Sequence, residues 1–131
     1  MHLIIDGYGS DSQVLQDEVF LHQLLDSYPS MIGMTKISDP FVFKYVGNKP
    51  EEWGISGFVV IAESHISFHT FVERCYINID IFSCRDFDAE QAIRHFKEQL
   101  KLTTFKSYLV NRDWDIKDTT EVNKITQLHQ V

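Results

Sequence analysis

Two runs of strict alternation constrain this chain more than any other feature. In HISFHTF (65–71), Ile66 and Phe68 point one way while His65, Ser67, His69 and Phe71 point the other. In YINIDIFSC (76–84), Ile77, Ile79 and Ile81 oppose Asn78, Asp80, Phe82 and Cys84. The short link VERC between them predicts a hairpin. Its apolar faces coincide only in registers of one parity, because a one-residue slip would move every isoleucine to the histidine side. The register with a plausible loop sets Ser67 opposite Asp80, His69 opposite Asn78 and Cys84 opposite Glu63. It places the thiol beside the Glu63–Ser64 junction, on the face of His69, and a slip of two residues would move it away.

The remaining pattern alternates between strands and helices. HLIID (2–6) reads as a strand ended by the turn residues GYGS, and a helical stripe of Val14, Leu21, Leu24, Leu25 and Tyr28 follows, capped by Ser10 or Asp11 and stopped by Pro29. FVFKYV (41–46), ISGFVVIAE (55–63) and TTFKSYLV (103–110) read as strands. In DAEQAIRHFKEQL, Ala89, Ala92, Ile93, Phe96 and Leu100 form one stripe, with Asp88 and Gln91 in capping-box relation. Helices with a single apolar stripe beside hairpins predict an α+β two-layer sandwich, a mainly antiparallel sheet with helices on one face. The 131 residues, 44% hydrophobic, suit one domain, with a mobile tail expected over 111–131.

Several chemistries are disfavoured. A net charge of −7, with twelve basic residues scattered among nineteen acids, speaks against a nucleic-acid partner. No run is apolar enough to span a membrane, and HLIID lacks the basic start of a signal peptide, so a cytoplasmic protein is expected. Two cysteines, Cys75 and Cys84, do not suggest a disulfide framework. His65 and His69 are four residues apart, about 13 Å along a strand, too far to share a metal ion, so no metal site is expected. A hydrolase triad of Ser64 or Ser67 with His69 and Asp80 lacks a nucleophile elbow, and GYGS lacks the third glycine of a dinucleotide loop. Cys84 differs from the other isolated polar residues because a helix beginning near Asp88 would bring its positive end close to the thiol.

The stretch ISGFVVIAESHISFHTF followed by YINIDIFSC resembles the central region of the short prokaryotic S-adenosylmethionine decarboxylases, from about Gly54 to Asp88. The motif E-S-H-x-x-x-H-T, with a cysteine fifteen residues after its second histidine, carries the likeness. The resemblance implies a proenzyme in which Ser64 attacks the Glu63 carbonyl, His69 removes the Ser64 α-proton and Ser56 supports the step. The fragments would be 1–63 and 64–131, the latter beginning with a pyruvoyl group. That group would form a Schiff base with S-adenosylmethionine and take up the electrons released with carbon dioxide. By the same resemblance Cys84 would donate the proton, Phe71 would stack on adenine, and Glu73 would hold the ribose across a homodimer interface, in service of spermidine synthesis. Val72, Arg74 and Cys75 around Glu73, and Arg85 where glycine is common, depart from the family pattern. A second reading keeps the chemistry but takes arginine or ornithine as substrate, and a third is a binding or regulatory homologue that does not process.

Overall fold

The computed structural model describes residues 1–9, 11–112 and 125–130. It contains strands β1 (His2–Gly9), β2 (Phe41–Val46), β3 (Trp53–Ile61), β4 (Ser64–Phe71), β5 (Tyr76–Ser83), β6 (Leu102–Val110) and β7 (Ile125–Gln130). The helices are α1 (Ser12–Leu15), α2 (Glu18–Met31) and α3 (Ala89–Gln99), and a 3-10 turn (Val72–Arg74) links β4 to β5. The strands form one sheet in the order β2-β3-β4-β5-β1-β6-β7, with every neighbouring pair antiparallel.

The hairpin forms in the register that parity favours, with Ser67 opposite Asp80 and His69 opposite Asn78. Ile66, Phe68, Ile77, Ile79 and Ile81 are buried, as are Leu3 and Ile5 of β1 and Ile55, Val59 and Ile61 of β3. The helices cover this face with Leu21, Leu24, Leu25 and Tyr28 from α2 and Ala92, Ile93 and Phe96 from α3. This is the expected two-layer arrangement. The opposite face carries no helix and exposes Tyr8, Phe41, Phe43, Tyr45, Phe58 and Phe71. No helix of the described residues is long and apolar enough to cross a membrane.

Four local expectations are corrected. First, β1 does not end at Asp6 but runs through Gly9, because Gly7 leaves room for the Leu102 side chain, which a Cβ there would strike. Second, the single helix from Asp11 is two helices, with N-cap carboxylates Asp11 and Asp17 accepting from Gln13 N–H at 2.9 Å and Phe20 N–H at 3.0 Å. Third, Pro29 lies inside α2 rather than stopping it. So near the helix end its missing N–H sacrifices one bond, while its carbonyl still accepts from Met34 N–H at 2.9 Å. Finally, part of the expected mobile tail is β7, which supplies hydrogen-bond partners to β6; residues 113–124 of that tail lie outside the described residues.

Candidate active site

Ile61 pairs with Ser64, so only Ala62 and Glu63 turn the chain from β3 into β4. Tight hairpin turns that match strand twist need positive φ at one or both central residues. Ala62 and Glu63 keep negative φ, and the distortion falls on Ser64, whose φ is +154°. A residue with a Cβ held in that region stores strain on the order of 1–3 kcal/mol.

The Glu63 carbonyl accepts from the Cys84 N–H at 2.9 Å, so the expected opposition of Cys84 and Glu63 is present as a hydrogen bond. Glu63 is buried, its side chain 6% exposed. Its Oε2 accepts from the Thr35 N–H at 3.1 Å and its Oε1 from Arg85 Nη1 at 3.4 Å. The Thr35 N–H, assisted by the Arg85 guanidinium, holds this carboxyl below its ordinary pKa. Ser83, fully buried opposite Ser64, shapes the next turn: its Oγ accepts from Arg85 N–H at 2.9 Å and donates to the Arg85 carbonyl at 2.8 Å. The Cys84 side chain is left exposed. The N-terminus of the following helix, α3, is capped by the Asp88 carboxylate, which accepts from Gln91 N–H at 2.9 Å.

A second group of polar residues sits farther along the same strands. Ser56 lies opposite His69, and its Oγ shares a hydrogen bond of 2.8 Å with His69 Nδ1. Beside them is a cavity of about 270 Å³ whose walls include Tyr45, Trp53, Phe71 and Arg74. Trp53 Nε1 donates to Glu73 Oε1 at 2.9 Å, which fixes the carboxylate near this cavity. Thr70 locks the two strands: its Oγ1 accepts from Ile55 N–H at 2.8 Å and donates to the Leu15 carbonyl at 2.9 Å. Gly54 permits the contact, because a Cβ there would overlap the Thr70 carbonyl.

The two groups are not neighbours within one chain. Five residues of extended β4 separate Ser64 from His69, about 16 Å between their Cα atoms. The odd spacing also puts Ser64 on the side of buried Ser83, whereas His69 is on the helix-free face. Cys84 adjoins the junction as expected, while Ser56, His69 and Phe71 line the cavity and Glu73 is tied to its wall through Trp53. Asp80 is paired with His2 Nε2 at 2.8 Å rather than with His69, so the triad considered from the sequence does not form. Trp53 and Thr70 were not singled out from the sequence. A tryptophan next to a strand glycine and a threonine at an apolar-face position were their available signals. Among the described residues no group of three or more His, Cys, Asp or Glu is placed to hold a metal ion.

An antiparallel sheet covered by helices on one face, with a Glu-Ser turn strained at the serine beside a cysteine, defines a narrow class of chain, and comparison with known proteins agrees. The family model described as S-adenosylmethionine decarboxylase matches residues 1–113. An S-adenosylmethionine decarboxylase proenzyme of Archaeoglobus fulgidus is 30% identical over 112 residues, 85% of this chain and 95% of the relative. One from Clostridium botulinum strain Loch Maree is 34% identical over 100 residues, 76% of this chain and 81% of the relative. The crystal structure of the adenosylmethionine decarboxylase from Aquifex aeolicus VF5 superposes with a TM-score of 0.67 at 27% identity, covering 81% of this chain and 83% of that one. The chain belongs to the S-adenosylmethionine decarboxylase family.

Proposed function

We propose that this chain is a self-processing, pyruvoyl-dependent decarboxylase of S-adenosylmethionine, working as a homodimer in cytoplasmic spermidine synthesis. The observation that carries the reading is the Glu63–Ser64 bond, strained at Ser64 and hydrogen-bonded through its carbonyl to the Cys84 N–H. The Ser64 hydroxyl attacks that carbonyl, the amide C–N bond breaks, and the nitrogen keeps the proton lost by oxygen, leaving an ester. The Cys84 N–H is placed to stabilise the oxygen that gains charge. His69 then removes the Ser64 α-proton, the ester C–O bond breaks, and Glu63 departs as a carboxylate. The dehydroalanine left at position 64 tautomerises, takes up one water and releases ammonia, giving the pyruvoyl group.

His69 cannot reach Ser64 in its own chain, so the proton must come to the His69 of a second copy. A two-fold dimer supplies this reciprocally, because whatever one copy offers the other it also receives. The exposed aromatic residues of the helix-free face support this interface, since apolar patches of that kind mark association surfaces. Each complete site would join Glu63, Ser64 and Cys84 of one copy to Ser56, His69 and the cavity of the other.

The residues fit a pyruvoyl group, which supplies a ketone that condenses with the substrate amine and accepts electrons as carbon dioxide leaves. The exposed Cys84 thiol returns a proton to the former α-carbon. In the cavity wall Phe71 offers a face to adenine and attraction to the sulfonium, and Glu73, held beside the cavity by Trp53, accepts from the ribose hydroxyls. Carbon dioxide release from labelled S-adenosylmethionine, arginine and ornithine tests the assignment. Release from S-adenosylmethionine is expected; release from arginine or ornithine alone would reject this substrate.

A further inference from the structure

The buried Glu63 carboxylate is an unusual neighbour for a bond that must be cut. Its side chain is held from two sides, by the Thr35 N–H and by Arg85 Nη1. Arg85 comes from the turn that follows β5, the same turn whose Cys84 N–H holds the Glu63 carbonyl. One short segment therefore grips both the main chain and the side chain of the residue that precedes the scissile bond. The turn itself is pinned by the buried Ser83 hydroxyl, so Arg85 starts from a fixed backbone.

We propose that Arg85 is a positioning residue for self-processing, holding the Glu63 carboxylate so that the scissile carbonyl stays on the Cys84 N–H and the new chain end stays docked after cleavage. This rests on the processing reading above. Before the cut, losing the side-chain grip frees the Glu63 carbonyl to turn away from its donor. After the cut, Glu63 carries two carboxylates, its side chain and the new α-carboxylate. Two like charges in a mostly buried position need a cation. The structure pairs Arg85 with Glu63, while Lys36, next to Thr35, is engaged by Asp26. The Arg85 side chain is 68% exposed, so its guanidinium can turn between the two carboxylates without leaving water.

The titrating group facing Arg85 is Glu63, with the Cys84 thiol on the same turn and the Thr35 N–H as its neutral partner. Removing Arg85 lets the carboxyl protonate at higher pH, so the acid limb of the cleavage rate moves upward. The Thr35 N–H remains, so the move is partial.

The test follows cleavage by intact mass in the full chain for wild type, Arg85→Ala, Arg85→Lys, Glu63→Gln and the Glu63→Gln/Arg85→Ala double variant, from about pH 3 to 8, which includes the carboxylate range. Arg85→Ala is expected to cleave about tenfold more slowly, a loss of one decade in rate, with its acid limb shifted upward. Arg85→Lys restores most of the rate, and the double variant cleaves as Glu63→Gln does, because the two residues act as one unit. The clamp alone is overturned if the wild type cleaves and Arg85→Ala matches it in rate and acid limb. It is equally overturned if Arg85→Ala slows Glu63→Gln as much as it slows the wild type. A wild type that never cleaves refutes the processing reading, and the clamp with it.

Discussion

Mixing two inactive variants probes the split site directly. Ser64→Ala removes the attacking hydroxyl and leaves Ser56 and His69 in place. His69→Ala does the reverse. A general base must come within about 2.6–3.2 Å of the proton it takes, whereas about 16 Å of strand separates these positions in one chain. Neither variant should therefore cleave alone at the wild-type rate. In an equimolar mixture with free exchange, about half the dimers contain one copy of each variant. Every such dimer has one complete site, made of Ser64 from the His69→Ala copy and His69 from the Ser64→Ala copy. About half the His69→Ala chains, and none of the Ser64→Ala chains, should then split, roughly a quarter of all chains. The assay is intact mass after co-refolding, with the variants distinguished by their masses. If the mixture cleaves no more than the separate variants while the wild type cleaves fully, the site is not shared and the placement of His69 is wrong.

Other perturbations test separate steps. Thr70→Val keeps the side-chain shape but leaves Ile55 N–H and the Leu15 carbonyl without their partner, and should cost about 2–4 kcal/mol in denaturant unfolding. An unchanged midpoint would dissolve the proposed strand lock. Cys84→Ala should still cleave, because its backbone N–H survives, yet lose about 10²–10⁴-fold in carbon dioxide release per cleaved chain; normal turnover would remove the thiol from the mechanism. The Thr35 N–H and the Arg85 guanidinium hold the Glu63 carboxyl below its ordinary value, so its contribution to stability is present above that ordinary value and is lost as pH falls through the lower folded value. Unfolding midpoints measured on an uncleaved Ser64→Ala background should show this acid-side loss, and adding Glu63→Gln should abolish that part of it.

Alternation made the hairpin register legible, because parity and a short loop left few ways to bury Ile77, Ile79 and Ile81 together. The same register sets Cys84 opposite Glu63, where its N–H meets the Glu63 carbonyl. The distance from Ser64 to His69 was equally legible, through the arithmetic that excluded a metal shared by His65 and His69. The family motif, however, draws Ser64 and His69 together in sequence and conceals how far apart an extended strand holds them. β7 was hidden because Ile125–Gln130 is exposed for most of its length and is recruited by backbone pairing rather than by an apolar face. The break between α1 and α2 was marked only by Asp17, since the apolar stripe continues across it. Strain at Ser64 depends on how a two-residue turn settles between paired strands, which residue identities alone do not reveal.

Intact-mass analysis of the purified wild-type chain, after incubation with S-adenosylmethionine and a reductant that traps amine adducts, reads self-processing at Ser64 and Schiff-base formation together. Two fragments are expected, 1–63 and 64–131, with the trapped adduct on the second fragment alone. A chain that remains whole from Met1 to Val131 and carries no adduct would contradict it.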